Sequence, residues 1–185
     1  MAAVSKLVVA ALIVREGEVL IVRQQGRDDP APYWSVPGGV VEQGEFVHEA
    51  LAREVAEETG LTIAGPGRLA CMAQYEVSTG RWAGLWTALT FAVAAPHGDP
   101  KPADPDGLVL EAAWVPIREA AHRLSDVGFA PMREPTVHHL LHPAAAPTFW
   151  TWPLGVGADP LMFPDERLDR ETCNSVGQVG LEPTT

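Results

Sequence analysis

The chain contains 185 residues, 46% of them hydrophobic, which predicts one compact domain over residues 1–142 and an extension over residues 143–185. Its formal net charge of -11 argues against a nucleic acid polymer as partner, because binding to a phosphate backbone requires a basic surface. A small phosphorylated molecule stays open, since a bound divalent cation can invert the local potential.

Signals for targeting and for disulfides are sparse. No apolar run reaches the roughly 18 residues of a membrane-spanning helix, and residues 1–6 lack the features of a signal peptide. The two cysteines, Cys71 in a strand-like run and Cys173 in the polar tail, suggest neither a disulfide framework nor a cysteine zinc site. We therefore expect a soluble cytoplasmic protein without a membrane partner.

The first third of the chain predicts a hairpin followed by a shaped loop. Residues 7–14 and 18–24 are rich in Val, Ile and Leu, and the polar residues 15–17 between them indicate a turn. Residues 27–32 form a polar loop that leads to Pro-Gly-Gly at 37–39, where backbone freedom is first restricted and then released.

The next segment predicts a helix and a second strand pair. Residues 45–59 contain good helix formers without Gly or Pro, and Gly60 suits a helix C-terminal cap. Residues 69–77 and 82–93 interleave β-branched and aromatic residues around a turn at 78–80, which favours strands over a buried helix.

The last third is less regular. Residues 95–107 hold four prolines and several acids and predict a loop, residues 108–115 predict a strand, and residues 117–124 and 136–141 each predict a short helix. Beyond Pro143 the chain is rich in Pro, Gly and Ala with isolated aromatics. We expect that extension to be poorly ordered, or ordered only by docking.

The predicted helix carries an unusual set of acids. Glu54 and Glu58 fall within or beside its apolar stripe, with Glu57 at the margin, if the residues advance by about 100° each. All three occupy the last turns, where the helix dipole and mutual repulsion both disfavour negative charge. The six acids between residues 42 and 58 are Glu42, Glu45, Glu49, Glu54, Glu57 and Glu58.

Two explanations compete for this acidic helix. A solvated face would pair Glu49 and Glu57 with Arg53, four residues from each, but it does not account for Glu54 and Glu58 on the apolar side. A hard cation would remove the repulsion, and Mg²⁺ prefers one or two carboxylates together with water and substrate phosphates. The helix therefore predicts metal-assisted phosphate chemistry.

The same residues resemble a known family. They match the Nudix box, G-x5-E-x7-R-E-U-x-E-E-x-G-U, at every defined position, and the matching residues are Gly39, Glu45, Arg53, Glu54, Val55, Glu57, Glu58, Gly60 and Leu61. With the flanking strands and late helix, the resemblance to Nudix hydrolases spans about residues 5–142. It implies an α/β fold, namely a Nudix-type α/β/α sandwich with a mixed central sheet.

The resemblance also implies residue roles. In this family the residues matching Gly38, Glu54, Glu57 and Glu58 ligate divalent metals or serve as base, and those matching Glu45 and Arg53 brace the loop and helix. We expect Mg²⁺ as cofactor, with Mn²⁺ as a substitute, and Glu54 as the base. A further carboxylate often completes such sites; our candidate is Glu111, for which an exposed strand-edge acid is an equal alternative.

Other residues are candidates for substrate contacts. Tyr33, Trp34 and Tyr75 are able to stack on a base, although aromatics beside strands are more often core. Arg23 and Arg27 flank the loop and are candidates for phosphate binding, whereas Arg68 and Arg81 default to solvated charges.

Two further patterns carry weaker signals. His138 and His142 lie four residues apart, as in some zinc sites, but without a third ligand they favour a surface helix. Trp150 and Trp152 lie between prolines and are candidates for packing the extension against the domain or a second subunit.

The sequence thus predicts a hydrolase that cleaves the pyrophosphate bond of a small nucleoside diphosphate derivative, such as a nucleoside triphosphate or ADP-ribose. The alternative is a nucleotide-sensing or binding module of the same fold without turnover. An isomerase of isoprenoid diphosphates is disfavoured, because no reactive cysteine accompanies a suitable motif. A homodimer is left open.

Overall fold

The computed structural model describes residues 5–26 and 31–164. Arg27 and Cys173, which the sequence analysis singled out, lie outside these residues. The elements in chain order are β1 (Ser5–Arg15), β2 (Glu18–Gln24), β3 (Tyr33–Ser35), β4 (Gly38–Val40), α1 (Val47–Thr59), β5 (Arg68–Val77), β6 (Gly84–Ala94), β7 (Val109–Pro116), α2 (Ile117–Ser125), α3 (Ala130–Leu141), β8 (Thr148–Thr151) and β9 (Leu161–Phe163).

One mixed sheet organises the chain. The strand order is β3-β2-β1-β6-β5-β8-β9, with β4 paired to β1 and β7 paired to β2. β1 runs parallel to β6 and β5 parallel to β8, and the other pairs are antiparallel. The β1–β2 turn has φ values of 48° at Glu16 and 84° at Gly17, which suits a two-residue hairpin turn whose twist matches the strands.

Helices cover both faces of the sheet. Val9, Ala11 and Ile13 of β1 pack in one buried cluster with Leu51 and Val55 of α1. The opposite face of β1 contributes Leu12 to a second cluster, which includes Leu124 of α2 and Leu140 of α3. Because successive strand residues point to opposite faces, the apolar run of β1 supplies two cores. The α/β/α sandwich with a mixed sheet is confirmed.

Several boundaries differ from the prediction. Residues 38–40 form a short strand that pairs with β1, where the sequence predicted a shaped loop at 37–39. Residues 33–35, for which no element was predicted, form a short strand that pairs with β2. α1 begins at Val47 rather than at 45. α3 begins at Ala130 and accommodates Pro131 and Pro135, whereas the prediction began at 136. Proline is tolerated in the first helical turn, and packing in the tertiary fold supplies the remaining stability.

The segment after Pro143 contributes to the sheet as far as it is described. β8 pairs with β5, and β9 pairs with β8. Trp150 and Trp152 are 7% and 3% exposed, so they pack against the domain. Within the described ranges, no helix combines the length and apolarity needed to cross a membrane.

Candidate functional site

Glu54, Glu57 and Glu58 of α1 are buried to different extents. The side chain of Glu57 is 34% exposed and that of Glu54 is 13% exposed, while Glu58 is only 7% exposed. All three belong to the last two turns of α1, which has no basic residue in its last turn. The helix therefore directs one carboxylate to the surface and one into the protein, with the third between them.

Arg53 compensates part of this charge. Its Nε and Nη2 donate to the two oxygens of Glu45 at 2.9 and 3.0 Å, and its Nη1 donates to Glu54 at 2.8 Å and to Glu57 at 3.4 Å. Nη2 also donates to the carbonyl of Val40 at 3.1 Å. A planar guanidinium satisfies several oxygens at once, so Arg53 ties the helix to the glycine loop.

The acids at the start of the helix have structural tasks. Glu45 accepts the backbone N–H of Glu42 at 3.0 Å, and hydrogen bonds from Arg53 lower its pKa. Glu49 accepts the N–H of Phe46 at 2.9 Å, which caps the first turn. A solvated acidic face would require Glu49 to pair with Arg53. Glu49 instead caps the N-terminus of α1.

The two glycines bring the backbone into contact with the glutamates. The N–H of Gly38 donates to Oε2 of Glu58 at 2.9 Å. A side chain at position 39 would place its Cβ 2.7 Å from Oε2 of Glu54, a separation that real Cβ atoms do not show. A side chain at position 39 would therefore displace the carboxylate of Glu54 from the position in which Arg53 holds it.

Burial dominates the electrostatics of Glu58. Its pKa is raised to about 8, mainly by desolvation and further by the charges of Glu54, Asp104 and Glu57, while the hydrogen bond from the N–H of Gly38 opposes the rise. Desolvation also raises the pKa of Glu54, against the stabilising hydrogen bond from Arg53. A buried carboxylate without a cationic partner is costly, so Glu58 is the group that would gain most from a cation.

The loop after β6 completes the end of the helix. Lys101 N donates to the carbonyl of Thr59 at 2.7 Å and Ala103 N to that of Glu57 at 2.9 Å, which satisfies carbonyls that a helix end otherwise leaves unpaired. Gly60 adopts φ 70° at the C-cap, and a Cβ there would overlap the carbonyl oxygen of Lys101.

Asp104 is an acid near the site that was not a candidate from the sequence. It belongs to the same loop, and its charge raises the pKa of Glu58. Its carboxylate accepts backbone N–H groups of Asp106, Leu108 and Val109. The available signal was the Asp-Pro-Asp-Gly run at 104–107, because Asp at the first position of a turn bonds its own backbone.

The arginine and glutamate candidates of the outer strands lie elsewhere. Arg23 of β2 pairs in register with Glu111 of β7 on one side and with Trp34 of β3 on the other, and both Arg23 and Glu111 are exposed. Trp34 packs against the cluster of α2 and α3, with the guanidinium of Arg123 4.9 Å from its ring. By strand alternation, these residues share the face opposite α1.

An aromatic cleft opens beside the carboxylates. Its volume is about 630 Å³, and its lining includes Tyr33, Tyr75, Trp82, Trp86 and Phe129 together with polar Gln24, Gln25 and Arg81. Burial and the charge of Glu58 raise the pKa of Tyr33, which places this cleft residue within electrostatic reach of the acidic site. Tyr33 and Tyr75 were predicted; Trp82, Trp86 and Phe129 were not.

The aromatic rings of the cleft are ordered against one another. Tyr75 stacks on Trp86 with centroids 6.3 Å apart and meets the edge of Phe129 at 5.1 Å. Trp82 is 43% exposed, and Nε1 of Trp86 donates to its carbonyl at 2.8 Å. A small pocket of about 80 Å³, which shares Tyr75 and Phe129, extends from the cleft to Gly38.

The donor chemistry of the acidic site fits a hard divalent cation. Within residues 5–26 and 31–164, no group of three His, Cys, Asp or Glu side chains is already arranged around one point. Glu57 and Glu58 nevertheless offer carboxylate oxygens on adjacent positions, and Mg²⁺ requires only one or two such ligands. For the histidines of α3, Nδ1 of His142 contacts the carbonyl of His138 at 2.9 Å, and these two belong to no such group.

Comparison with known proteins gives a family match. The model of the NUDIX domain matches residues 4–135. The chain is 41% identical over 71 residues to the CTP pyrophosphohydrolase of Escherichia coli, a match that covers 38% of this chain and 52% of that protein. It is 45% identical over 60 residues to putative 8-oxo-dGTP diphosphatase 2 of Mycobacterium tuberculosis, covering 32% and 43%.

The solved structures extend the likeness to the whole fold. The solution structure of the Escherichia coli ORF135 protein aligns with a TM-score of 0.62 and 26% identity, over 78% of this chain and 94% of that one. By contrast, the chain spans about half the length, or less, of the curated relatives named above.

Proposed function

Because residues 4–135 establish that the chain belongs to the Nudix hydrolase family, we propose that it is a metal-dependent pyrophosphohydrolase of small nucleotides. Its substrate is a nucleoside diphosphate linked to a further group, and a nucleoside triphosphate is the class we favour over ADP-ribose. The names of the E. coli and M. tuberculosis relatives, a CTP pyrophosphohydrolase and a putative 8-oxo-dGTP diphosphatase, support that preference.

One observation carries the proposal: among residues 5–26 and 31–164, the buried carboxylate of Glu58 has no cationic partner, and it lies close to the charges of Glu54 and Glu57. Arg53 neutralises Glu45 and Glu54 but does not bond Glu58. A fold selected for stability alone would avoid such a group. A bound cation offsets the cost of burial, which supports a metal site at this end of α1.

We assign the metal to Glu57 and Glu58, with Glu54 and the carbonyl of Gly38 as additional donors. Mg²⁺, with Mn²⁺ as a substitute, would supply charge that stabilises the phosphate oxygens and would acidify water. Glu111 was the further donor expected from the sequence, but it lies on the face of the sheet opposite α1, whereas the charge of Asp104 acts on Glu58. Asp104 is therefore our preferred additional acid.

We assign the general base to Glu54. Its pKa is raised by burial while a hydrogen bond from Arg53 fixes one oxygen, so the carboxylate is held in position and its affinity for a proton is increased. Gly39 leaves the space in front of it free of a side chain. Arg53 and Glu45 act through Glu54 and are positioning residues.

We assign the aromatic cleft to the nucleoside. Its volume of about 630 Å³ falls in the range of small-molecule sites, roughly 300–1,000 Å³. We assign base stacking to Tyr33, which is half-buried, and to Trp82, which is 43% exposed, whereas Trp86 is only 7% exposed and supports the wall from behind. The amides of Gln24 and Gln25 offer hydrogen bonds to the edge of the base. The net charge of -11 favours a small nucleotide over a nucleic acid polymer.

Product analysis with a substrate panel tests the proposal. We expect Mg²⁺-dependent release of pyrophosphate from a nucleoside triphosphate, or of two monophosphates from ADP-ribose. Glu57→Gln and Glu58→Gln should each lower kcat by roughly 10² or more with the fold retained. Glu76→Gln, an exposed acid on β5, is the matched control and should leave turnover unchanged.

The panel also distinguishes the alternative function. Tight nucleotide binding without cleavage under Mg²⁺ or Mn²⁺ would identify a nucleotide-sensing module and would overturn the hydrolase proposal. Equal turnover in the wild type and both glutamine variants would refute the assignment of Glu57 and Glu58 as metal ligands. Size-exclusion chromatography with light scattering would settle the homodimer that the sequence leaves open.

A further inference from the structure

The aromatic cleft is backed by a cluster of buried side chains, which we call the rear cluster. Its members are Cys71, Ala73, Tyr75, Trp86, Trp150 and Trp152. Tyr75 and Trp86 also line the cleft, whereas Trp150 and Trp152 do not. The two tryptophans come from the segment beyond the residues 4–135 that match the family model.

Strand pairing holds these tryptophans behind the cleft. β8 runs parallel to β5 with Trp150 opposite Ala73 and Thr151 opposite Gln74. The N–H of Trp152 then donates to the carbonyl of Gln74 at 3.1 Å. Because alternate residues of a strand share a face, Trp150 and Trp152 lie on the same face of the sheet as Ala73 and Tyr75.

Trp150 lies between β5 and α3, which supply Tyr75 and Met132 to the lining of the cleft. Its ring meets the edge of His138 on α3 at 5.4 Å. Phe129, directly before α3, forms an edge-to-face contact with Tyr75, with ring centroids 5.1 Å apart. One buried side chain therefore contacts both the strand that carries Tyr75 and the helix that follows Phe129.

The hydrogen bonding of the two indoles indicates that position 152 requires the volume of the indole ring and not its N–H group. Nε1 of Trp150 donates to the hydroxyl of Thr148 at 2.9 Å. Nε1 of Trp152 is buried, and within the described part of the chain it has no hydrogen-bond partner. Leaving such a donor unsatisfied costs about 1–3 kcal/mol, which Phe or Leu would avoid, so the larger indole ring must contribute packing that offsets the cost.

We propose that Trp150 and Trp152 are positioning residues that fix the aromatic wall of the nucleoside cleft and thereby its affinity for nucleosides. The proposal rests on the assignment of the cleft to the nucleoside. Without the two rings, Tyr75 and Phe129 lose the packing that holds them in one arrangement, and a ligand must order them on binding. Phosphate binding at α1 does not depend on them.

The test compares two nucleotide analogues with a ligand that lacks the nucleoside. Isothermal titration in Mg²⁺ measures the Kd of the α,β-methylene analogue of CTP, of the corresponding dGTP analogue, and of inorganic tripolyphosphate. In Trp152→Leu and Trp150→Leu we expect about tenfold weaker binding of at least one nucleotide analogue, the size of a lost base-stacking contact. Tripolyphosphate should change by less than about twofold.

Three variants separate positioning from general damage. Phe149→Leu alters the neighbouring residue of β8, which aligns with Met72 and contacts Phe163 on the opposite face, and should change neither Kd. Trp152→Phe should retain most of the affinity. In a Tyr75→Leu background, Trp152→Leu should add less than about twofold, because positioning through Tyr75 is already lost.

Several results would overturn the proposal. If the tryptophan variants bound the nucleotide analogues and tripolyphosphate equally more weakly, the two tryptophans would contribute only to stability. The same conclusion would follow if Phe149→Leu lost as much affinity for the nucleotide analogues. If the wild-type protein bound the analogues no tighter than tripolyphosphate, the assignment of the cleft to the nucleoside would be refuted. Binding with the expected differences but without cleavage of CTP or dGTP would instead refute only the hydrolase function.

Discussion

The buried carboxylate of Glu58 should make the metal-free protein less stable as the pH rises. Its pKa is about 8 in the folded chain against a reference of 4.5, so the folded state holds a proton that the unfolded state releases. Below about pH 4.5 both states are protonated and no cost arises; between 4.5 and 8 the unfolding free energy falls, and above 8 the full cost is present.

The size of the effect follows from the same shift. A difference of 3.5 units corresponds to about 5 kcal/mol as an upper bound, of which about 2 kcal/mol falls between pH 6 and 8. Glu58→Gln removes the titration and keeps a carbonyl oxygen that accepts the N–H of Gly38. The buried NH₂ group of the new glutamine offsets part of the stability gained by removing the charge. We therefore expect the variant to be more stable than wild type by about 2 kcal/mol at pH 8 in EDTA.

Urea unfolding, followed by tryptophan fluorescence at pH 5, 6, 7 and 8, measures the unfolding free energy of the wild type and of Glu58→Gln as a function of pH. In saturating Mg²⁺ the order should reverse, because a ligand at 100 times its Kd stabilises the wild type by about 2.7 kcal/mol and the variant binds it less well. Glu76→Gln should follow the wild type throughout. Parallel pH curves for wild type and Glu58→Gln in EDTA would refute the reasoning, because Glu58 would then not be buried as an uncompensated acid.

Three other predictions address the site. Gly39→Ala should lower kcat by about tenfold or more and stability by about 1–3 kcal/mol, because its Cβ would displace the carboxylate of Glu54; steady-state kinetics and urea unfolding check both. Arg53→Lys should lower kcat by about tenfold, since an ammonium cannot bond Glu45 and Glu54 in the same planar arrangement, and unchanged kinetics would contradict this. Trp82→Ala should raise KM by about tenfold with kcat nearly unchanged, as measured with the best nucleotide of the panel.

The helix and its glutamates were predictable because their signals are local. The run from residue 45 to Gly60 has helical propensity, a C-terminal glycine and a buried stripe, and each depends on neighbours within one or two turns. The helix was found with an error of two residues at its start. The repulsion among Glu54, Glu57 and Glu58 was likewise visible from spacing alone.

The short strands and α3 were less predictable. Residues 33–35 and 38–40 contain only three residues each, too few for a periodic pattern, and they become strands because β2 and β1 offer them partners. The prolines of α3 argue against a helix locally, and Pro131 and Pro135 are instead buried in the packed fold. In both places tertiary contacts outweigh local preference.

The nucleoside cleft depends on residues that are distant in sequence. Tyr33 and Tyr75 were candidates by type, but nothing in the sequence separated them from Trp34, which packs into the cluster of α2 and α3 and does not line the cleft. Strand register decides which aromatic faces the cleft, and a shift of one residue reverses the face. The same holds for Asp104, which approaches Glu58 only because its loop caps α1.

The family resemblance, the acidic helix and the kind of chemistry that clustered carboxylates support could all be inferred from the sequence, since each depends on spacing within residues 39–61. The tertiary structure decided which carboxylate is buried, which aromatic rings form the cleft, and that Trp150 and Trp152 stand behind it. The physical reason is that burial and strand pairing join segments far apart in the chain, and the free energy of those contacts is absent from any local pattern.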